Sequence, residues 1–187
     1  MNPLVAAAVE VEQQCRQAGW RACIIGGLAV LRWGEPRTTQ DVDLTLVTGF
    51  GSERPYVDAL LGAFEPRIPD AREFALKHRV LLLESRMGVP IDVALGAMPF
   101  EERTVSRASP FEIEPHVSIT TCSCEDLIVM KAFAGREKDW LDIAGIVVRQ
   151  AGRVDVAVVW RELDPLLELK DSPATRKRLE RLLGGGG

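Results

Sequence analysis

The sequence predicts an α+β fold, in which a mixed sheet flanked by helices is followed by a C-terminal helical region. Short apolar runs of strand length alternate with helical segments through the first two-thirds of the chain. The last third carries apolar residues at helical spacing only. Hydrophobic residues make up 47% and charged residues 27% of the 187 residues, which is typical of a folded protein with a sizeable core.

Periodicity and glycine positions predict the elements of the first part. Helices are expected over residues 4–18, 28–33 and 53–64, and strands over residues 22–25, 41–47, 80–83, 91–95 and 117–119. The strands at 80–83 and 91–95 are joined by a turn and predict a hairpin. Residues 99–121 are rich in Pro, Ser and Thr, and the strand at 117–119 is the one element expected there.

The rest of the chain is predicted to be helical. Ser123 with Asp126 resembles a capping box that begins the first of these helices. Further helices are expected over residues 138–150, 155–168 and 173–183. We therefore expect a core over residues 1–121 and a helical region over residues 122–187 packed against it.

Charge and composition exclude several classes of protein. The net charge is −4, which disfavours a surface wholly dedicated to nucleic acid but leaves room for a local basic face. No apolar run approaches the roughly 20 residues of a membrane span, and the N-terminal segment predicts an amphipathic helix instead of a signal peptide. The four cysteines lack the spacing of a structural zinc site and are expected to be buried. A cytoplasmic location is expected.

Two carboxylates on one predicted strand are the first candidate site residues. Asp41 and Asp43 stand at positions i and i+2, so a strand directs both side chains to the same face. Such a pair is repulsive unless a cation lies between the two carboxylates. Magnesium accepts carboxylate oxygens and keeps positions for substrate phosphates. The alternative is a solvated pair on an edge strand.

A third carboxylate lies on another predicted strand. Asp92 is the one charge within an apolar run, where an acid is costly unless it is paired or bound to metal. Three carboxylates can hold two metal ions for an in-line phosphoryl displacement. The alternative for Asp92 is an ion pair with Arg79 or Arg86 across the hairpin.

Two motifs give the chain a recognisable pattern. The first is Gly26-Gly27-x-Ala29 followed by Arg37-x-Thr39-x-Asp41-x-Asp43-Leu44, and the second is Lys131-x4-Arg136-x-Lys138-Asp139, which Asp142 continues. Together they resemble the nucleotidyltransferase superfamily, which includes DNA polymerase β, CCA-adding enzymes and aminoglycoside nucleotidyltransferases. Within it, the chain is most similar to the AbiEii-like branch, the toxins of some toxin–antitoxin systems. The resemblance covers residues 22–145 and implies a polymerase-β-like core.

The resemblance implies roles for the first motif. Asp41 and Asp43 would bind Mg²⁺ or Mn²⁺, and Asp92 would complete the metal site and help to activate the acceptor hydroxyl. Gly26 and Gly27 would cradle the triphosphate of the NTP substrate.

The second motif and its neighbours would bind the nucleotide. Lys131 would act in catalysis by neutralising phosphate charge, while Arg136 and Asp139 would shape the nucleotide pocket or hold Lys131. Arg37 and Thr39 are assigned to support of the substrate or the strand end. Gly135 is expected to end or bend the helix, which would turn the residues after it towards the phosphates.

The implied activity is transfer of a nucleoside monophosphate from an NTP to an acceptor hydroxyl, on a tRNA 3′ end or a protein. Two alternatives stay open at this point. One is a non-catalytic nucleotide-binding or regulatory module with the same fold, and the other is a nucleotidyltransferase that modifies small molecules such as antibiotics. The presence of all three carboxylates favours an enzyme.

Overall fold

Within the residues that the structure describes, seven strands from the first two-thirds of the chain join in one mixed sheet. A computed structural model describes residues 1–170 and 173–184. The elements up to the end of the sheet are α1 (Pro3–Gln17), β1 (Ala22–Ile25), α2 (Gly26–Trp33), β2 (Val42–Val47), α3 (Arg54–Leu61), β3 (Glu65–Pro66), α4 (Ala71–His78), β4 (Val80–Glu84), β5 (Pro90–Gly96), α5 (Pro99–Arg107), β6 (Ser109–Glu114) and β7 (Val117–Thr121).

The strand order of the sheet is β3-β4-β5-β2-β1-β7-β6. Strand β2 runs parallel to β5 and antiparallel to β1, and β1 runs parallel to β7. The remaining pairs are antiparallel, including the predicted hairpin of β4 and β5. The α+β prediction, a mixed sheet flanked by helices, is confirmed.

Strand alternation separates an apolar face of the sheet from a face that carries acids. Leu44 and Leu46 of β2 and Ile91 and Val93 of β5 are fully buried, and helices α1 and α5 contact β2. Burial of these side chains supplies most of the driving force for this layer. Asp43 alternates with the buried residues of β2 and therefore points to the other face.

Four elements were not predicted: β3, α4, α5 and β6. The segment over residues 99–121, expected to hold one short strand, contains α5 and both strands of the pair β6–β7. Helix α5 begins with Pro99, which suits the first helical turn. The Glu101 carboxylate accepts hydrogen bonds from the backbone N–H groups of Ala97 and Met98, at 2.7 and 2.9 Å.

The rest of the chain is helical, as predicted. Its helices are α6 (Cys124–Ala134), α7 (Glu137–Gln150), α8 (Val156–Lys170) and α9 (Pro173–Gly184). Ser123 caps α6, because its hydroxyl accepts a hydrogen bond from the Asp126 N–H at 3.1 Å. Gly135 ends α6 in the left-handed conformation, with φ at 70°. The prediction that Gly135 ends the helix is confirmed.

Contacts divide the chain into two units. The first, the sheet unit, comprises Met1–Leu28 and Thr38–Cys122, and the second, the helical unit, comprises Ala29–Arg37 and the chain from Ser123 onwards. The segment Ala29–Arg37 belongs to the helical unit because α7 binds its backbone. The Gln150 side-chain amide donates to the Trp33 carbonyl at 2.7 Å.

Two further expectations concern burial and membranes. All four cysteines are buried, which confirms the expected burial. Among the helices that the structure describes, none has both the length and the apolar character needed to cross a bilayer.

Candidate active site

The sheet brings two of the candidate carboxylates together. Asp43 and Asp92 are register partners on the parallel strands β2 and β5, so their side chains point to the same face. Asp41 lies two residues before Asp43, immediately before β2. Strand β2 is central, between β5 and β1, so the alternative of a solvated pair on an edge strand is wrong.

Asp92 forms an ion pair, but with an arginine that the sequence did not indicate. Its carboxylate accepts a hydrogen bond from Nη2 of Arg67. The two expected partners bind elsewhere: Arg79 pairs with Glu53, and Arg86 pairs with Glu10.

The surroundings of Asp92 also shift the pKa of its carboxyl group. Burial raises this pKa, the Arg67 guanidinium opposes the increase, and the negative charge of Asp41 adds to it, so that the pKa lies above its usual range. Asp43 and Asp92 thus share one face of the sheet, and the charge of Asp41, immediately before β2, acts on Asp92.

The Gly26-Gly27 pair makes room for the carboxylates. Gly26 has φ at 61°, and a Cβ at this position would overlap the Asp43 carboxylate. A Cβ on Gly27 would overlap the Thr39 side chain. The Thr39 hydroxyl in turn donates to Oδ1 of Asp41 at 2.9 Å. Five residues of the first motif therefore form one packed cluster in the sheet unit: Gly26, Gly27, Thr39, Asp41 and Asp43.

The donor chemistry of this cluster suits a hard divalent cation, since all its candidate ligands are carboxylate oxygens. Within residues 1–170 and 173–184, however, no group of three or more His, Cys, Asp or Glu side chains is arranged so that it could hold a metal ion. Two of the carboxylates have protein partners instead, since Arg67 binds Asp92 and Thr39 binds Asp41. A metal ion would need these carboxylates to change partners.

A chain of alternating charges in the helical unit joins Arg37 to four residues from the second motif and its continuation, which are Lys131, Arg136, Asp139 and Asp142. Arg37 donates to both Asp142 oxygens, from Nε at 2.8 Å and from Nη2 at 3.0 Å. The Lys131 ammonium lies 2.6 Å from Asp142 Oδ2 and 3.5 Å from Asp139 Oδ1. Arg136 donates to both Asp139 oxygens, at 2.7 and 3.2 Å. We call these five residues the charge network; they carry three positive and two negative charges.

Exposure differs sharply along the charge network. The Lys131, Asp139 and Asp142 side chains are at most 7% exposed, whereas Arg37 is 37% and Arg136 62% exposed. Lys131 thus lies at the buried centre, bound to both acids, and the two guanidiniums form the solvent-accessible ends.

The two buried acids of the charge network are held ionised by their partners. Burial acts to raise the pKa of Asp139, but the hydrogen bonds from Arg136 and the charge of Lys131 together hold it below its usual value. Asp142 behaves in the same way, with Arg37 and Lys131 outweighing the effect of burial on its pKa.

The predicted site residues therefore fall into two groups, one in each unit. Gly26, Gly27, Thr39 and the three acids belong to the sheet unit, and Arg37, Lys131, Arg136 and Asp139 belong to the helical unit. Sequence reasoning missed Arg67, which lies beside the unpredicted strand β3, and noted Asp142 only as a continuation of the second motif. Identifying Arg67 as the partner of Asp92 requires the register of the strands, which cannot be read from the sequence.

Comparisons with known proteins agree with the fold. The chain resembles an antigenic nucleotidyltransferase-like protein from Paracoccidioides brasiliensis, with 15% identity, a TM-score of 0.53, and coverage of 95% of this chain and 94% of that protein. It also resembles the antibiotic-resistance factor ANT(2'')-Ia, with 14% identity, a TM-score of 0.57, and coverage of 92% and 96%. At these identities the likeness shows a shared nucleotidyltransferase fold.

No curated protein matches the chain. Residues 3–163 match the model of a family described as "Nucleotidyltransferase of unknown function (DUF6036)". This match covers most of the chain, and the protein therefore belongs to that nucleotidyltransferase family.

Proposed function

We propose that the protein is a metal-dependent enzyme that transfers a nucleoside monophosphate from an NTP to an acceptor hydroxyl, with Asp41, Asp43 and Asp92 as its metal ligands. The observation that carries the proposal is the register of Asp43 with Asp92 on neighbouring parallel strands. Asp41 adds a third negative charge, and its effect on the pKa of Asp92 supports a position near that carboxylate. Three acids in one place repel each other unless a cation neutralises them.

Mg²⁺ or Mn²⁺ fits this donor set by its preference for carboxylate oxygens. When bound, such an ion stabilises the charge that develops on the transferred phosphoryl group. The three aspartates hold and orient the ion, and Asp92 is also assigned to activation of the acceptor hydroxyl.

Gly26 and Gly27 serve the proposed site in two ways. Their missing side chains admit Asp43 and Thr39, which fixes the positions of the carboxylates. They also begin helix α2, whose first backbone N–H groups are suited to the phosphates of the nucleotide.

The charge network is the part of the helical unit suited to contact phosphate groups. Its five residues leave one net positive charge, and Arg136 and Arg37 are the members exposed to solvent. We assign phosphate contact to these two guanidiniums. Lys131 contributes its charge from the buried centre, where it keeps Asp139 and Asp142 in place for the arginines.

The proposal also covers the identity of the acceptor. We propose a tRNA 3′ end or a protein hydroxyl as the acceptor, in the cytoplasm, with a toxin role as in the AbiEii-like branch. The second motif, Lys131 to Asp139, favours this acceptor class. The likeness to ANT(2'')-Ia makes a small-molecule acceptor the alternative within the same chemistry.

The test is to incubate the protein with each labelled NTP, Mg²⁺ and, separately, total tRNA, total protein or an aminoglycoside. Label on one acceptor class identifies the substrate, and Asp43→Asn should abolish that label. NTP binding without label on any acceptor would instead support a non-catalytic nucleotide-binding module. Absence of both binding and transfer would contradict the proposal.

A further inference from the structure

Arg67 is aligned with the acidic group by the hydrogen bonding of the sheet. Its backbone N–H donates to the Leu82 carbonyl at 3.1 Å. Leu82 is the register partner of Asp92, and Asp92 is the register partner of Asp43. The arginine therefore stands at the end of a row that crosses β4, β5 and β2, and its side chain reaches over β4 to Asp92.

The Arg67–Asp92 ion pair is accessible to solvent and replaceable. The Arg67 side chain is 27% and the Asp92 side chain 35% exposed. Ion pairs at this level of exposure contribute little net stability. A divalent cation carries twice the charge of a guanidinium and binds carboxylate oxygens directly, so it displaces such a partner.

We propose that Arg67 is a positioning residue that neutralises and orients Asp92 while no metal is bound, and that it competes with the divalent cation for this carboxylate. The inference rests on the proposed function, since it requires the three aspartates to bind metal. Its consequence is that metal binding releases Arg67 from Asp92, so Arg67 sets the affinity of the site for metal in the absence of nucleotide.

The experiment is titration of the full chain with Mn²⁺ in the absence of nucleotide, followed by electron paramagnetic resonance of the free ion. Arg67→Ala and Arg67→Gln should each bind Mn²⁺ about fivefold more tightly than the wild type, which is the scale of one partly exposed charge interaction. Arg67→Lys, which keeps the charge, should stay close to the wild type. Circular dichroism confirms that each variant is folded.

Two controls separate this inference from the proposed function. Arg72→Ala removes an ion pair with Asp58 whose side chains are each 43% exposed, elsewhere in the same unit, and should leave Mn²⁺ affinity unchanged. Asp43→Asn should weaken Mn²⁺ binding. If Asp43→Asn has no effect, the metal site itself is wrong. If Asp43→Asn weakens binding but neither neutral Arg67 variant tightens it, the role of Arg67 is wrong and the proposed function stands.

Discussion

At the scale of single residues, the glycine pair Gly26-Gly27 determines where the carboxylates lie. Gly26 is required twice, because its φ of 61° is unfavourable for other residues and because the Asp43 carboxylate fills the space of a Cβ. The glycine pair of the first motif is thus explained by contacts within the protein, in addition to any contact with a ligand.

Gly26→Ala is expected to lower both stability and Mn²⁺ affinity, since the new Cβ displaces the Asp43 carboxylate. Gly19→Ala is the matched control, because Gly19 has φ at 71° and a Cβ added there would meet no atom of the described residues within 4 Å. The control should cost about 1 kcal/mol from backbone strain alone and leave Mn²⁺ affinity intact. Urea unfolding and Mn²⁺ titration of both variants give the comparison. Equal effects of the two substitutions on Mn²⁺ affinity would contradict the packing argument.

Asp142→Asn is expected to destabilise the protein by about 1.5–3 kcal/mol at pH 7, because Lys131 and Arg37 lose an ionised acceptor while Asp139 still pairs with Lys131. The native pKa values of Asp142 and Asp139 are lowered, so their contribution to stability is complete above the unfolded-state value of about 3.9. It is lost as the pH falls through the native values. The difference between wild type and variant should therefore shrink on acidification.

Urea unfolding at pH 7 and at successively lower pH measures this difference. Asp164→Asn is the control, since Asp164 pairs with Arg176 at the surface, where both side chains are at least 40% exposed. It should cost less than about 1 kcal/mol at any pH. A gap between wild type and Asp142→Asn that does not change with pH would show that the aspartate acts through packing and not through charge.

At the scale of helices and strands, strong local sequence patterns predicted the correct elements. Alternation predicted β2, an apolar run after a turn predicted β5, and the Ser123 cap predicted the start of α6, all of which the structure contains. Helix α5 was missed although Pro99 and Glu101 are both typical of a helix start, because the Pro, Ser and Thr content of residues 99–121 favoured a loop. Strand β3 has two residues and leaves no periodicity to detect.

Pairing between elements could not be predicted from the sequence alone. The expected convergence of Asp92 with Asp43 depends on β5 lying beside β2 in parallel register, which is a property of the sheet and not of either strand. The partner of Asp92 was mispredicted for the same reason. Arg79 and Arg86 are closer in sequence, but strand geometry places Arg67 next to Asp92.

Ser123→Ala is expected to cost about 1 kcal/mol of unfolding free energy, because the first turn of α6 loses the hydroxyl that accepts from the Asp126 N–H. Ser123→Thr keeps a hydroxyl and should retain most of the stability. Chemical denaturation measures both, and equal stability of the two variants would mean that the hydroxyl does not cap the helix.

For the molecule as a whole, each unit assembles one kind of charged group. The sheet unit collects the candidate carboxylates, and the helical unit collects the charge network, in which Arg37 and Asp142 are separated by 105 positions in sequence. Both groups depend on tertiary contacts, so each forms only when its unit folds. Ligand binding should consequently be linked to global stability.

Mg²⁺ with the preferred NTP is expected to stabilise the wild type by about 2.7 kcal/mol when the ligand is at 100 times its Kd. Asp43→Asn should lose this stabilisation. Without metal it should be as stable as the wild type or slightly more so, since one of the repelling carboxylates is neutralised. Thermal melts with and without ligand test both statements. Strong destabilisation of the ligand-free variant would show that Asp43 has a structural role.

The two ends of the sheet also limit how the protein associates with other chains. An open strand edge is a template for another strand, and proteins block such edges with short strands, prolines, charges and bulges. One edge here is β3, whose two residues are Glu65 and Pro66. The other is β6, which contains Pro110 and has a shifted register between Glu112 and Glu114. The sheet therefore resists aggregation through its edges, and a peptide acceptor would have to be recognised by side chains instead of strand addition.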